Sequence, residues 1–519
     1  MLKFEEISPS DFFYRNKEIA GFENSTKTCY TIVRELIENS LDSCEAGGIL
    51  PNIYVYIKNL DENSDKEEQK INIRVEDNGI GVPSSKVPYA FGKILYGSKF
   101  VLKQHRGIFG LGGKMAVLYG QITTNTPFRI ITSTVDDNRF IHFYEMLIDI
   151  VKNQPKILKY EKLPNNNGWH GLIIDFNFLG NYKSAKKKII DYLFQTAIIV
   201  PYLQLLYVDF EGTNLFFERK VSSMPPQSKE VLYHPKGVDL EILRRMIKSD
   251  PQNTVLKFLV KRFQKIGFKT AIDILSRAHI DPNIKVSRLK EEELQRLYEL
   301  MKSYPFKRPD SRALSPIGEY LKVGINEMFK PEFISFDQRE PSSYEGHPFI
   351  VETAIAYGGG IPLPQEGEIN LFRFANKIPL IYDSYNDVSM KVIKEINWNV
   401  YKINIYQEPV AFFVHICSTK IPYKTLGKEY IANQPEIYRE IELSLRKNAR
   451  NLSSYLNKKR FSEYQRERKK YLSEYIEKIV YFAGKLAEID YNKLKNYLES
   501  FREKLLKENY EDLEIKVAN

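Results

Sequence analysis

Cysteine is nearly absent from the chain: Cys29, Cys44 and Cys417 are the only three in 519 residues, scattered and odd in number. That excludes a disulfide framework and a Cys-x-x-Cys zinc site, and it predicts free thiols in a reducing cytosol. Histidine is scarce as well, with seven dispersed residues and no His-Glu-x-x-His pair to suggest a zinc enzyme. No run of about 18 apolar residues occurs, so no membrane-spanning helix is expected. The opening "MLKFEEISPSDFFYRNKE" lacks the apolar core of a signal peptide. Internal repeats and low-complexity tracts are missing too.

What is present is charge and length. With 43% hydrophobic and 27% charged residues the chain reads as soluble and globular. At this length a single core is excluded, and three or four domains are expected. The net charge of +10 fits a polyanionic partner such as DNA or RNA, and equally a lysine-rich protein whose charges keep it in solution.

Patterning divides the chain. Residues 1–230 alternate helical and strand-like segments: "INIRVEDNGIG" alternates apolar and polar from Ile71 to Val75 and breaks at an Asp-Asn-Gly turn, and "FRIITSTV" and "GLIIDFNF" read as further strands. Ser222–Glu230, with two prolines, reads as a linker. Residues 231–308 turn helical and basic, and "VLKFLVKRFQKIGFKTAIDILSRAHI" predicts two short helices joined around Gly267. Strands return from 309 to about 440 in "HPFIVETAIAYGGG", "INLFRFANKIPLIYD" and "VAFFVHICSTKIPY". From about Glu440 a long helical tract is dense in charge, which most often means a solvated helix laced with ion pairs, then a partner-docking rod, then a nucleic-acid contact. The expected class is an α+β multidomain protein.

Three local constellations carry chemistry. In "TIVRELIENSLDSCEAGG", Thr31–Gly48, Ile32, Val33, Leu36, Ile37 and Leu41 share one helical face, and Glu35, Asn39 and Asp42 share the other. In "EDNGIG", Asp77 ends a strand, where its carboxylate can accept from an exocyclic amine while Gly79 and Gly81 leave room for a flat base; alone, the motif reads as a simple Asp-Asn-Gly turn. In "RGIFGLGGK", Arg106–Lys114, four glycines precede a lysine and an apolar run that can open a helix. This loop fails the Walker A pattern, since Met115 follows the lysine, and fails the dinucleotide fingerprint, so by itself it is a flexible turn or a nucleotide cradle.

Taken together and in this order, the three resemble the GHKL ATPase superfamily, which includes type II topoisomerase ATPase subunits, MutL mismatch-repair proteins, histidine kinases and a heat-shock chaperone. Through "VRELIENSLDS", "VPYAFGKILYGSK", "RGIFGLGGKMAVLY", "GHPFIVE", "FANKIPLIYD" and "HICSTKIPYKTLGKE" the chain is similar, up to about residue 470, to the B subunits of DNA topoisomerase VI, the type IIB enzyme. The resemblance implies a GHKL (Bergerat) α/β sandwich with an N-terminal strap over 1–230 and a basic helix-two-turn-helix domain over 231–308. It implies a ribosomal S5-like transducer with a long helix over 309–470, and a C-terminal helical segment over 471–519. The strap, "SPSDFFYRNKEIAGF", would reach to a partner copy.

It also implies ATP and Mg2+ as cofactors, with Asn39 offering its side-chain carbonyl to the metal and Glu35 orienting or deprotonating a water in line with the γ-phosphate. Asp77, with Gly79 and Gly81, would take the adenine. Gly107, Ile108, Phe109, Gly110, Leu111, Gly112, Gly113 and Lys114 would wrap the phosphates, with Ser98 and Lys99 adding contacts. Asp42 would support the Glu35–Asn39 pair or only face solvent. A switch lysine from the transducer is implied at Lys428, ahead of its neighbours Lys420 and Lys424; an isolated lysine in such a turn would be read as a solvated surface residue.

Two positions depart from the family pattern. Leu172 stands where a threonine usually follows His-Gly, which implies weaker ATP binding or a substitute group. "WNVY", Trp398–Tyr401, lacks the lysine of the family's Trp-Lys-x-Tyr motif, leaving Trp398 to a DNA contact or the core. No Asp-x-Asp metal site for strand cleavage occurs, so cleavage is expected of a separate A subunit. The partners implied are that A subunit in a heterotetramer of two A and two B chains, double-stranded DNA contacted by Lys and Arg of residues 244–290, and a second copy on ATP binding. No membrane is implied; a cytoplasmic, nucleoid-associated protein is expected. Another GHKL clamp of the MutL or chaperone kind, or a non-hydrolysing DNA-binding scaffold, are the alternatives.

Overall fold

The structure, a computed structural model, describes residues 7–61, 67–97, 101–107, 110–425 and 427–488. The first part of the chain runs through α1 (Pro9–Arg15), α2 (Ser25–Gly47), β1 (Asn52–Asn59), β2 (Gln69–Asp77), α3 (Val87–Gly92), α4 (Gly112–Thr124), β3 (Phe128–Ser133), β4 (Phe140–Asp149), β5 (Gln154–Pro164), β6 (Gly171–Gly180), α5 (Tyr182–Ile199), β7 (Gln204–Val208) and β8 (Asn214–Phe217). The eight strands form one sheet in the order β5-β4-β3-β6-β2-β1-β7-β8, antiparallel except where β1 meets β7. The alternation in β2 sets its two faces. Ile71, Ile73 and Val75 point into a core shared with Ile53, Val55, Ile174 and Phe176, and α2, α4 and α5 cover that side. Arg74 and Arg129 lie on the open face.

Helix α2 positions the site. Asn24 caps it, its side chain accepting from the Lys27 N–H at 2.8 Å, and Gly48 ends it at φ +68°. Its apolar face, Ile32, Val33, Leu36, Ile37 and Leu41, is 3% exposed or less, and each such side chain contributes about 1.5–3 kcal/mol. The N-terminal segment lies against the β4–β5 turn, where Ser8 donates to the Ile150 carbonyl at 2.6 Å and Ser10 to Asn153 Oδ1 at 2.7 Å.

Next come four helices, α6 (Leu240–Ser249), α7 (Val255–Arg262), α8 (Phe268–Ala278) and α9 (Glu291–Ser303). The pair joined at Gly267 is α7 and α8, as the sequence pattern predicts. The helices close on their own core, including Leu243, Phe258, Phe263, Ile274, Leu275 and Leu297. Lys257, Lys261, Lys265, Lys269, Arg277, Lys285 and Arg288 are left exposed.

The remaining elements are α10 (Tyr320–Phe329), β9 (Phe333–Gln338), β10 (Ser342–Tyr344), β11 (His347–Tyr357), β12 (Asn370–Ala375), β13 (Ile378–Pro379), α11 (Val388–Glu395), β14 (Val410–Ser418) and α12 (Pro435–Ala487). Their strands form a second sheet, β10-β11-β14-β12-β13 with β9 also on β11, in which β12 and β14 are parallel. α10 packs on α5 so closely that a Cβ on Gly324 would lie 1.9 Å from the Ile198 carbonyl oxygen. α12 begins five residues before Glu440, because Pro435 is suited to a helix's first turn. Its start is held by Asn448, which donates to Thr353 Oγ1 at 2.8 Å and accepts from Ser335 at 2.7 Å. The described residues from Arg450 to Glu488 belong to a separate compact unit. There α12 is a charged helix with exposed Tyr464, Tyr471 and Tyr475. Among the described residues no helix is long and apolar enough to cross a membrane.

Trp398 belongs to the core. It is 6% exposed, its indole N–H donates to the Ile393 carbonyl at 2.8 Å, and its ring packs on Phe412.

One buried acid ties the second sheet to the preceding loop. Glu352 on β11 accepts from the backbone N–H of Ile317 at 3.0 Å and of Gly318 at 2.5 Å, and from His415 Nδ1 at 2.7 Å, while His415 Nε2 accepts from the Lys377 N–H at 2.9 Å. Cys417 adjoins them, yet both imidazole nitrogens are already spent, so the trio is a structural tie and not a metal site. Glu352→Ala strands two buried N–H groups and a histidine, and should lower stability by about 3–5 kcal/mol, read as a fall in Tm.

Candidate functional site

The polar side of α2 does not face water. Arg34 is 5% exposed, Glu35 7% and Glu38 1%, and the ammonium of Lys428, from the loop after β14, joins them. Lys428 Nζ lies 2.7 Å from Glu38 Oε2 and 3.4 Å from Glu35 Oε1. Arg34 donates from Nη2 to Glu35 Oε1 at 2.7 Å and from Nη1 to the Gly427 carbonyl at 2.9 Å, and its Nε lies 3.3 Å from Glu38 Oε1. Lys27 adds an ion pair to Glu429. The transducer-side loop is thus pinned to α2 at three consecutive residues. Lys420 and Lys424 are not in the cluster; Lys420 is exposed, 3.8 Å from Glu345, and Lys424 is exposed as well.

These charges set one another. Burial works to raise the Glu35 carboxyl, but Lys428 and Arg34 outweigh it and hold the group down at about 2. Burial raises Glu38, against the pull of Lys428. Burial would lower Lys428, and the two carboxylates more than reverse that.

Around this cluster the glycine-rich segments converge. The first two residues of α4 abut α2: a Cβ on Gly112 would lie 1.6 Å from Glu35 Oε2, and one on Gly113 would lie 2.8 Å from Asn39 Nδ2. Only glycine lets the helix N-terminus approach the carboxylate so closely. Asn39 is half-buried on the wall of a cavity of about 410 Å³, whose lining includes Asp42, Gly81, His105, Arg106 and Lys377. Lys114 sits in the first turn of α4, its ammonium bonded to the Tyr96 carbonyl, and burial pushes it down to about 8. Leu111 precedes the helix and Gly110 is left-handed at φ +59°. Gly107 is half-buried in the adjoining loop. Ser98, Lys99, Ile108 and Phe109 lie outside the described residues.

Asp42 does not merely face solvent. Arg106, which opens the glycine loop, donates to Asp42 at 3.2 Å and to Glu45 at 2.6 Å. Glu45 also accepts from Tyr202 at 2.6 Å and from Lys377 Nζ at 3.2 Å, so it is held down at about 2: burial opposes, but Arg106 and Lys377 prevail. Lys377 comes from the β12–β13 turn, where Asn376 donates to the His105 carbonyl at 3.0 Å. Arg34, Glu38, Glu45 and Lys377 escape a reading by motif, because nothing in their spacing marks them as partners of residues hundreds of positions away.

Asp77 ends β2 at 3% exposure, with Oδ1 accepting the Gly79 N–H at 2.9 Å. Burial pushes its carboxyl up to about 6 despite the donors around it. Leu172 pairs with Asp77 across β2 and β6 and with Thr132 across β6 and β3. The Thr132 hydroxyl accepts from the Val82 N–H at 2.9 Å and donates to the Gly171 carbonyl at 3.0 Å. A threonine therefore stands one strand away from the departed one.

Two family models match the chain: the histidine kinase-, DNA gyrase B- and HSP90-like ATPase over residues 24–125, and the topoisomerase VI B subunit transducer over residues 309–469. The fold and the site therefore define a GHKL ATPase joined to a transducer. Among curated proteins, the type 2 DNA topoisomerase 6 B subunit of Metallosphaera sedula is 43% identical, covering 90% of this chain and 87% of its own length. Those of Sulfurisphaera tokodaii and Pyrobaculum aerophilum are 43% and 42% identical, each covering 99% of this chain and 96% of its own. The chain belongs to the family of type 2 DNA topoisomerase 6 B subunits.

Asp77 makes a pH-dependent prediction. Its carboxyl is raised from 3.8 to about 6 in the folded protein, so the fold binds this proton more tightly than the unfolded chain. The contribution favours folding at low pH and is lost as pH rises through about 6, costing up to about 3 kcal/mol at pH 7. The difference in Tm between Asp77→Asn and the parent should move in favour of the variant between pH 4.5 and 7. A constant difference would show that Asp77 titrates normally.

Proposed function

We propose that this chain, as a topoisomerase 6 B subunit the ATP-dependent part of a type IIB DNA topoisomerase, gates DNA strand passage by dimerising on ATP and hydrolysing it. The observation that carries the reading is the meeting of Lys428, from the transducer side, with Glu35 on α2. A lysine that leaves Glu38 and Glu35 for a γ-phosphate couples nucleotide state to the position of the second sheet. Asp77 accepts the adenine amino group, with Gly79 and Gly81 clearing space for the ring. The backbone from Gly107 to Gly113, with Lys114 and with Ser98 and Lys99 nearby, encloses the phosphates. Glu35 orients a water and receives its proton, and Lys428 stabilises charge developing on the transferred phosphoryl group.

The side-chain carbonyl of Asn39 fits Mg2+, a hard cation that takes few protein ligands beside phosphate oxygens and water. Bound there, the metal supplies neutralisation of phosphate charge. Asp42 holds Arg106, and through it the start of the glycine loop, and takes no metal.

The domain limits we assign are 1–230 for the ATPase with its strap, 231–308 for the basic helical domain, 309–470 for the transducer and 471–519 for the C-terminal segment. The exposed lysines and arginines within 244–290 contact DNA phosphates without reading sequence. Cleavage belongs to an A subunit, in an assembly of two A and two B chains working in the cytoplasm at the nucleoid. Two ATP-bound B chains close around a DNA segment, and hydrolysis reopens them.

Reconstitution with the A subunit tests this directly: ATP-dependent decatenation and relaxation are expected, and protein that neither binds nor hydrolyses MgATP would favour a DNA-binding scaffold. Glu35→Ala should bind ATP and dimerise yet lose hydrolysis by about 100-fold or more, trapping the closed dimer on size-exclusion chromatography. Loss of binding instead would remove Glu35 from its role. Lys428→Ala should slow turnover while leaving adenine affinity within about threefold.

A further inference from the structure

Glu38 has no task in nucleotide chemistry so far, yet it is the most deeply buried acid of the α2 cluster. It is 1% exposed and lies nearer to Lys428 than Glu35 does, at 2.7 Å against 3.4 Å. The lysine is also constrained from its backbone. Lys428 adopts φ +56°, a left-handed conformation that a side-chain-bearing residue keeps only when its surroundings hold it, and its N–H donates to the Thr425 carbonyl at 3.1 Å. Arg34 grips the preceding carbonyl, Gly427 O, at 2.9 Å. Lys428 is thus held at both ends, by Arg34 at the main chain and by Glu38 at the ammonium.

A buried ammonium requires a counter-charge within reach. Only Glu38 and Glu35 stand within 4.0 Å of this one among the described residues. If Glu38 did not hold it, the lysine would close on Glu35 and occupy the oxygen that hydrolysis needs. Arg34 already takes Glu35 Oε1 at 2.7 Å and Lys428 reaches the same oxygen only at 3.4 Å, so a closer Lys428 would turn that long contact into a second tight pairing on Glu35.

We propose that Glu38 is a positioning residue for ATP hydrolysis: it holds the Lys428 ammonium off Glu35, keeping the lysine available to a γ-phosphate and Glu35 available to water. The proposal rests on the reading of Glu35 and Lys428 as the hydrolytic pair, and concerns a residue that touches neither nucleotide nor water. A γ-phosphate competes with Glu38 for the same ammonium, so Glu38 also sets how readily the transducer loop leaves α2.

A double-mutant cycle in the reconstituted complex with A subunit, DNA and MgATP separates this from a structural role. Glu38→Gln preserves shape and removes charge. It should lower kcat about tenfold with KM for ATP within about twofold, read at a temperature below the variant's own lowered Tm, since a buried charge loses its partner. In the Lys428→Ala background the same substitution should have no further effect on kcat, because there is no ammonium left to misplace. Glu38→Asp keeps the charge one methylene back and should recover most of the loss; should Glu38→Gln not fold, this variant carries the cycle with a loss of about threefold that again vanishes without Lys428. An unchanged kcat in Glu38→Gln, or equal losses with and without Lys428, overturns the proposal. If Lys428→Ala itself leaves hydrolysis unchanged, the assignment of the hydrolytic pair fails as well; if it slows hydrolysis while Glu38→Gln does not, only the role of Glu38 falls.

Discussion

Two cations and two carboxylates sealed between α2 and the loop after β14 are the constraint on which the rest of the molecule turns. Arg34, Glu35, Glu38 and Lys428 are each less than 9% exposed and together neutral. A buried ionic set of this kind is weak evidence for stability, since desolvation offsets much of the attraction. Its consequence is different: no member can leave without stranding another charge. The inexpensive rearrangement is an exchange in which another anion takes the place of a carboxylate. The cost of leaving charges unpaired makes such an exchange closer to all-or-none than graded.

The second connection between the two sheets follows the same logic with different residues. Glu45, near the end of α2, collects Arg106 from the glycine loop, Tyr202, and Lys377 from the β12–β13 turn. Asn376 bonds the same loop at His105, and Gln104 exchanges hydrogen bonds with the Ala313–Ser315 segment. The glycine loop is therefore gripped at its start by the second sheet, while the residues at its far end begin α4 against Glu35. One helix, α2, carries both attachments: Arg34, Glu35 and Glu38 at one and Glu45 at the other. A shift of the second sheet acts on the two ends of the candidate site together.

Much of this was legible in the sequence, and the boundary has a physical cause. Pattern marked β2, β3, β6, β11, β12 and β14 and the α7–α8 pair, because β2 buries one face and alternates while β11 and β14 are buried throughout and read as continuous apolar runs, and local pattern reports burial. The ordered boxes marked Glu35, Asn39, Asp77, the glycines and Lys428. Local pattern did not report that Arg34, Glu35 and Glu38 on α2 are nearly as buried as its apolar face. Charges are concealed there by partners nearly 400 positions away, and Arg34 and Glu38 read as ordinary solvated helix residues until Lys428 is set beside them. The start of α12 at Pro435 was missed for a local reason, since its first turn carries too few charges to extend the tract that follows.

Leu172 shows how a departure from a family pattern is absorbed. Its strand position faces Asp77 on one side and Thr132 on the other, so the nearest hydroxyl has moved one strand across and not out of the wall. That hydroxyl is committed to backbone, holding the Val82 N–H and the Gly171 carbonyl. It therefore ties the Val82 segment to the start of β6. A buried carboxylate at the end of β2 is tolerable because the Gly79 N–H replaces part of its hydration. Gly81, at φ +70° and with a Cβ that would meet the Ser133 carbonyl oxygen at 2.1 Å, admits no side chain.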